Sequence, residues 1–173
     1  MALKIKTKMK KGIFLVLFLS LLTSCSQDLS LNNNAAFQAV KDNQFWKAAD
    51  ANSVRIAGGL LNINAVTQTE SVVLTIPLPT RLVSQKDKNS YITYFLGIDE
   101  EQSAQYVKTL NTIIYSFETG INNGDGEIVV TDYDGSYISG TFKFNAKNTD
   151  TGSITEATVN FQKGVFYKVP IAP

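Results

Sequence analysis

Two residue types in this chain could do chemistry, one cysteine and the carboxylates, and the residue that most often assists them is missing. The 173 residues hold one cysteine, 15 Asp and Glu, and no histidine. Without histidine there is no usual general base, no usual zinc or copper ligand, and no Ser–His or Cys–His catalytic pair. Cys25 has another chemistry open to it. It closes Leu22-Thr23-Ser24-Cys25, a branched apolar residue and two small ones ahead of a cysteine, which is the pattern of a bacterial lipobox. In such a site the thiol is diacylated, a lipoprotein signal peptidase cuts before the cysteine, and the new amino group is usually acylated in turn. The competing reading is an ordinary secretory peptide with an incidental cysteine. Two or three acyl chains, at about 0.8 kcal/mol per buried methylene, hold a protein on a membrane almost irreversibly. The reading adopted is a lipid anchor at Cys25. With its one thiol acylated the chain has no intramolecular disulfide, and an apolar core must carry the fold.

The carboxylates offer three arrangements, each with a simpler account. The run Asn122-Asn123-Gly124-Asp125-Gly126-Glu127 invites calcium. Aligned to an EF-hand loop, however, it puts Ile121 where an aspartate must stand, and no helices flank it. A looser oxygen site from Asp125, Glu127, Asp132 and Asp134 splits between two ends of a hairpin, about six residues of ~3.3 Å apart, so a turn explains these residues better. Asp99-Glu100-Glu101 reads as negative charge at a helix start. A glycosidase pair needs two carboxylates about 5–9.5 Å apart, and among 15 acids some pair meets that by chance. The expectation is a protein that is not an enzyme and uses neither metal nor cofactor.

Three aromatic residues are candidates for binding. Trp46, the one tryptophan, is either a sugar-stacking platform or a core plug that closes one end of a domain, and the plug is preferred. Tyr133 is expected in a hairpin loop and Tyr137 on the solvent face of the same hairpin. Each offers a flat apolar body with a polar tip to a glycan, a peptide or an envelope protein. Cross-strand pairing that stabilises an edge is the competing account.

The elements that would position these residues follow from patterning. Lys4, Lys6, Lys8, Lys10 and Lys11 form a basic segment ahead of an apolar run over 13–22. Ten helical residues rise only about 15 Å, half of a hydrocarbon core of about 30 Å, so residues 1–24 read as a signal peptide and not a span. Its removal takes five of the 16 Lys and Arg but none of the 15 Asp and Glu, and the balance falls from +1 to 11 against 15. A mildly acidic remainder carries no electrostatic footprint for nucleic acid. Residues 25–36 are polar and asparagine-rich, a tether, and 37–173 suit one domain.

Residues 126–146 organise that domain as a hairpin. Ile138, Phe142, Phe144 and Ala146 alternate with Ser139, Thr141, Lys143 and Asn145, which makes one face apolar and one polar. Ile128 and Val130 join the apolar face. A three-residue loop, Tyr133-Asp134-Gly135, would set Val130 opposite Ile138 with Gly135 in the left-handed conformation. Further strands are expected over 37–40, 45–47, two arms within 52–65 around Gly58-Gly59, 70–76, 91–97, 112–118, 154–161 and 164–169. Pro77 with Pro79 and Pro170 with Pro173 act as stops. Residues 80–90 read as a solvated loop. Residues 99–110 are the one helical candidate, capped by Asp99 with Gln102 three residues on, and a strand over 104–108 is the alternative. Nine or ten short strands without parallel crossover spacing mean an all-β antiparallel sandwich, with a partly open barrel as the alternative.

The second half of the chain resembles a known family. Gly126-Glu127-Ile128, then Ile138-Ser139-Gly140-Thr141-Phe142-Lys143-Phe144, then Val159 and a closing Gly164-Val165-Phe166 are similar to a family of uncharacterised lipoproteins of the Bacteroidetes group. Phe37 with Phe45-Trp46 resembles that family's N-terminal signal. The stretch 98–109 departs from the pattern as an insertion. The resemblance implies a lipid-anchored, β-rich protein of the bacterial cell envelope, most simply the outer membrane, on its periplasmic or its surface face. It implies no activity and no catalytic residue. Two functions compete: a non-catalytic lipoprotein that binds a ligand or partner through loops or exposed aromatics, and a structural or accessory subunit of an envelope complex. A carboxylate-dependent hydrolase is the remote third. A concave surface with two exposed aromatics would favour the first, a flat apolar patch the second, and two acids facing each other in a deep cleft the third.

Overall fold

A computed structural model describes residues 36–84, 90–149 and 157–172. The described residues form eleven strands and no helix: β1 (Ala36–Lys41), β2 (Gln44–Lys47), β3 (Asp50–Ile56), β4 (Leu60–Val66), β5 (Glu70–Pro77), β6 (Ile92–Leu96), β7 (Ser103–Leu110), β8 (Ile113–Glu118), β9 (Asp125–Tyr133), β10 (Tyr137–Asn148) and β11 (Thr158–Ala172). The all-β expectation holds. Among these residues no helix is long and apolar enough to cross a membrane.

All eleven strands belong to one hydrogen-bonded sheet, folded into two layers by its two longest members. β11 bonds β10 along one edge; its other edge takes β1 over 161–167 and then, in parallel, β3 at Ile171↔Ser53 and Ala172↔Val54. β10 in turn bonds β9 and then, at Lys147↔Glu118 and Asn148↔Phe117, β8. One layer is therefore β2-β1-β11-β10-β9-β6 and the other β3-β4-β5-β7-β8, laced at two corners by ladders of two residue pairs each. Hairpins supply β1–β2, β3–β4, β4–β5 and β7–β8, whereas β5–β7 and β6–β9 pair strands that are not consecutive. Asp42-Asn43 and Asn111-Thr112, all at positive φ, are two-residue loops of the mirror-image type, whose twist matches that of the strands they join, while Gly58-Gly59, also at positive φ, belong to the three-residue loop between Ile56 and Leu60.

Alternation fills the space between the layers. Leu61, Ile63 and Ala65 of β4, with Val72, Leu74 and Ile76 of β5, face Phe142, Phe144, Phe161 and Phe166 across the core, all buried. Phe161 lies at the centre. Its ring meets those of Trp46, Tyr106, Phe142 and Phe144 at centroid distances of 5.8, 5.3, 6.4 and 4.7 Å. Opposite Phe142 stands Gly164, where a Cβ would come within 2.6 Å of the ring, so the ring occupies the space that a side chain would need.

Several expectations need correction. The central hairpin buries the expected face, but Val130 pairs with Gly140 and Ile138 with Tyr133. A bulge between Ser139 and Gly140 absorbs the difference, and Ser139 is buried, its Oγ accepting the N–H of Lys168 at 2.9 Å. Tyr133 ends β9 instead of lying in the loop. Residues 99–110 contain no helix: Asp99 does accept from Glu101 N and from Gln102 Nε2, yet β7 follows, bonded to β5 on one side and β8 on the other. Ala104 and Tyr106 then point inward at a spacing of two. The strands expected over 154–161 and 164–169 are one strand from Thr158, and residues 150–156 lie outside the described ones. β5 does end at Pro77, whereas Pro170 does not stop β11 but lies within it, where its carbonyl accepts from Ser53 Oγ. Within the expected loop at 80–90, Val83 is buried and bridges Tyr133, while residues 85–89 lie outside the described ones.

Candidate functional site

The three aromatic candidates are not brought together. Trp46 is 6 % exposed, on the inward face of β2, edge-on to Phe37 and Phe161. Tyr133 is 7 % exposed, against Val83. Of the three only Tyr137, 49 % exposed, meets solvent. Cys25 lies outside the described residues.

A polar cluster missed from the sequence joins the two layers. Glu70 opens β5 in line with inward-facing Val72, Leu74 and Ile76, so its side chain is aimed at the core. A carboxylate there requires donors. From its own layer Tyr106 donates its hydroxyl to Oε1 at 2.8 Å; from the other layer Lys41 Nζ donates to Oε1 and Trp46 Nε1 to Oε2. Lys41 Nζ also donates to the Tyr106 hydroxyl at 2.8 Å and lies 4.9 Å from the ring centroid. Burial pushes the Glu70 carboxyl up, and the hydrogen bonds and charge from Lys41, Tyr106 and Trp46 outweigh it, holding the group below the ordinary glutamate value. Each of these partners stabilises the anion. The signal that reveals the cluster is parity: a carboxylate at an inward position of an alternating strand.

Two of the depressions on the sandwich are lined by described residues. One of about 390 Å³ lies outside the cluster, lined by Lys41, Asp42, Gln44, Tyr106, Lys108 and Thr158. Lys41 is engaged by Glu70, Asp42 Oδ1 accepts from Asn160 N at 2.9 Å, and Lys108 Nζ lies 5.2 Å from the Tyr115 ring centroid. The other, about 200 Å³, lies by Asp99, Gln102 and Glu118, and Gln102 Nε2 there donates to Asp99 Oδ2 and to Phe95 O. Both are polar. Among the described residues no group of three His, Cys, Asp or Glu side chains could hold a metal ion.

Three of the acids singled out in the sequence are engaged within the fold. Asp125 accepts from Asn145, Glu127 pairs with Lys143 at 3.1 Å, and Asp134 caps its own turn by accepting the N–H groups of Ser136 and Tyr137 at 2.8 Å. The Tyr137 and Ser136 amides hold the Asp134 carboxyl below its usual range.

Exposed apolar side chains gather in two places. Tyr91, Phe95 and Ile98 lie on and beside the edge strand β6, with Ile121 on a neighbouring turn whose Asn122 N–H donates to Gly97 O at 3.2 Å. Strand addition is blunted along this edge, because Phe95 O accepts from Gln102 and Tyr91 O from Arg81. Leu110, Ile113 and Ile114 form the second group, at the tip of the β7–β8 hairpin.

The family model of a domain of unknown function, DUF6252, matches residues 33–170. Comparison with curated proteins and with solved structures finds no match.

Proposed function

We propose, for a chain that belongs to the DUF6252 family, that it is a lipid-anchored module of the bacterial cell envelope that binds another envelope protein and performs no catalysis. In this reading Cys25 is acylated, residues 1–24 are its signal peptide, and the residues after it tether the sandwich to the outer membrane of a Bacteroidetes-type bacterium. The observation that carries it is the apolar group on the β6 edge, where Tyr91, Phe95 and Ile98 are each more than half exposed. Large apolar side chains on one edge of a sheet favour a protein partner. An accessory subunit of a larger envelope complex is the same reading with a permanent partner.

Mass analysis of the protein from its own membrane should show acyl groups on an N-terminal Cys25. A photo-crosslinker at Phe95 should capture a defined protein. A crosslinker there that captured only lipid or glycan would refute the protein partner, and a Cys25 without acyl mass would refute the anchor.

A further inference from the structure

From the tip of the β7–β8 hairpin we infer a second, shallow membrane contact, in which Leu110, Ile113 and Ile114 enter the boundary between headgroups and acyl chains. The inference rests on the anchored reading for its setting and on the hairpin for its chemistry. In the last ladder pair of the hairpin Leu110 stands opposite Ile113, and the pair before it is Thr109 with Ile114. Directly opposed residues share a face, and adjacent residues take opposite faces. Leu110 and Ile113 are thus on one side of the ribbon and Ile114 on the other, at 55 %, 52 % and 63 % exposure. A pocket on a protein receives one face of a hairpin, whereas a lipid interface surrounds both.

Charge selects this tip over the β6 edge. The nearest charged side chain along the hairpin is Lys108, two residues behind Leu110, facing Tyr115 across the ladder with its ring beside the ammonium. A lysine and a tyrosine behind an apolar tip match the order of groups from phosphate to acyl chain at a membrane surface. Ile98 instead precedes Asp99-Glu100-Glu101, which lipid phosphates would repel. The tether reaches: the eleven residue steps from Cys25 to Ala36 extend to about 36 Å, against about 30 Å for the length of β1 to Lys41 and then from its neighbour Tyr106 to Leu110. Depth is limited by the turn. Asn111 and Thr112 lead the tip, and although Thr112 Oγ1 donates to Asn111 O, the remaining polar groups of the turn keep their partners only at headgroup level.

Acylation blocks the one native thiol, so the full mature protein with Ile113→Cys takes a single environment-sensitive fluorophore. In vesicles of phosphatidylethanolamine and phosphatidylglycerol, which contain no other protein, the emission at 113 should shift to the blue. It should also be quenched more by lipids spin-labelled near the glycerol than by lipids labelled at the chain end. A Tyr137→Cys label should show neither effect, and Ile114→Cys is the second site should Ile113→Cys fail to fold. An unshifted, unquenched label at 113 and 114 on a protein with acylated Cys25 overturns the hairpin contact and leaves the anchor standing. If Cys25 proves unacylated, the anchored reading fails. The label on full-length Cys25→Ser protein then decides: vesicle-induced shift and quenching uphold the contact, and their absence overturns it.

Discussion

Tyr106 and Leu110 lie on the same face of β7, four residues apart, and meet opposite environments. Tyr106 is buried beneath the β1–β2 hairpin with a charged pair for company, while Leu110 projects past that hairpin into solvent. Polarity alone would assign them the other way round. What decides is how far the opposing layer reaches: Trp46 and Lys41 extend over Glu70 and Tyr106, and among the described residues no strand faces the ribbon beyond Lys108. Inward orientation and burial are therefore separate properties of a strand position, the first set by parity and the second by the length of the layer across.

The contrast breaks most completely at Phe161, whose ring supports both Trp46 and Tyr106. Phe161→Ala should lower unfolding free energy by about 3–5 kcal/mol in denaturant melts, and Trp46 fluorescence should report a loosened β1–β2 hairpin in the folded state. Next comes Glu70→Gln, which leaves the Lys41 ammonium with no carboxylate in a largely buried setting; the expected loss is about 3 kcal/mol. Trp46→Phe keeps the ring contacts and removes one donor to that carboxylate, for a loss of about 1.5 kcal/mol.

The pH dependence sharpens the same comparison. The Glu70 carboxyl is held below its unfolded value of about 4.3, so the unfolded chain binds its proton first as pH falls. The stabilisation is complete above that value and disappears as pH drops through the folded one. Melts below pH ~4.3 should therefore show a fall in stability with a component that Glu70→Gln lacks. At the tip the effects should be smallest. Leu110→Ser and Ile113→Ser should each change stability by no more than about 0.5 kcal/mol, because most of each side chain is already in water. A loss above 1 kcal/mol at either position would mean that the tip is packed after all.

Much of the sandwich is legible in the sequence, because period two in residues 126–146 and a short strand every eight to twelve residues leave few other folds. The register is not. Val130 and Ile138 reach the same face through a bulge at Ser139 and Gly140, and nothing in the local pattern distinguishes that from a straight pairing two residues away. Residues 99–110 mislead because Ala104, Val107 and Leu110 fit a helix as well as Ala104 and Tyr106 fit a strand, and bonding to β5 and β8 settles the matter. Glu70 could have been flagged by parity, but its donors Lys41 and Trp46 come from another hairpin more than twenty residues earlier. The exposed tip was beyond the sequence for a similar reason, since the reach of the layer across it is a tertiary quantity.

The route of β11 has a consequence for the order of assembly. Its ladders serve β1, β3 and β10 at once, and Phe37 finds its partner Phe166 only across nearly the whole described chain. A growing polypeptide that lacks residues 158–172 lacks the one described strand whose ladder joins the β1–β2 hairpin to the rest of the sheet, so that native pairing must wait for β11. Such distant closure makes for slow folding, and the sandwich stays pliable until β11 has been made.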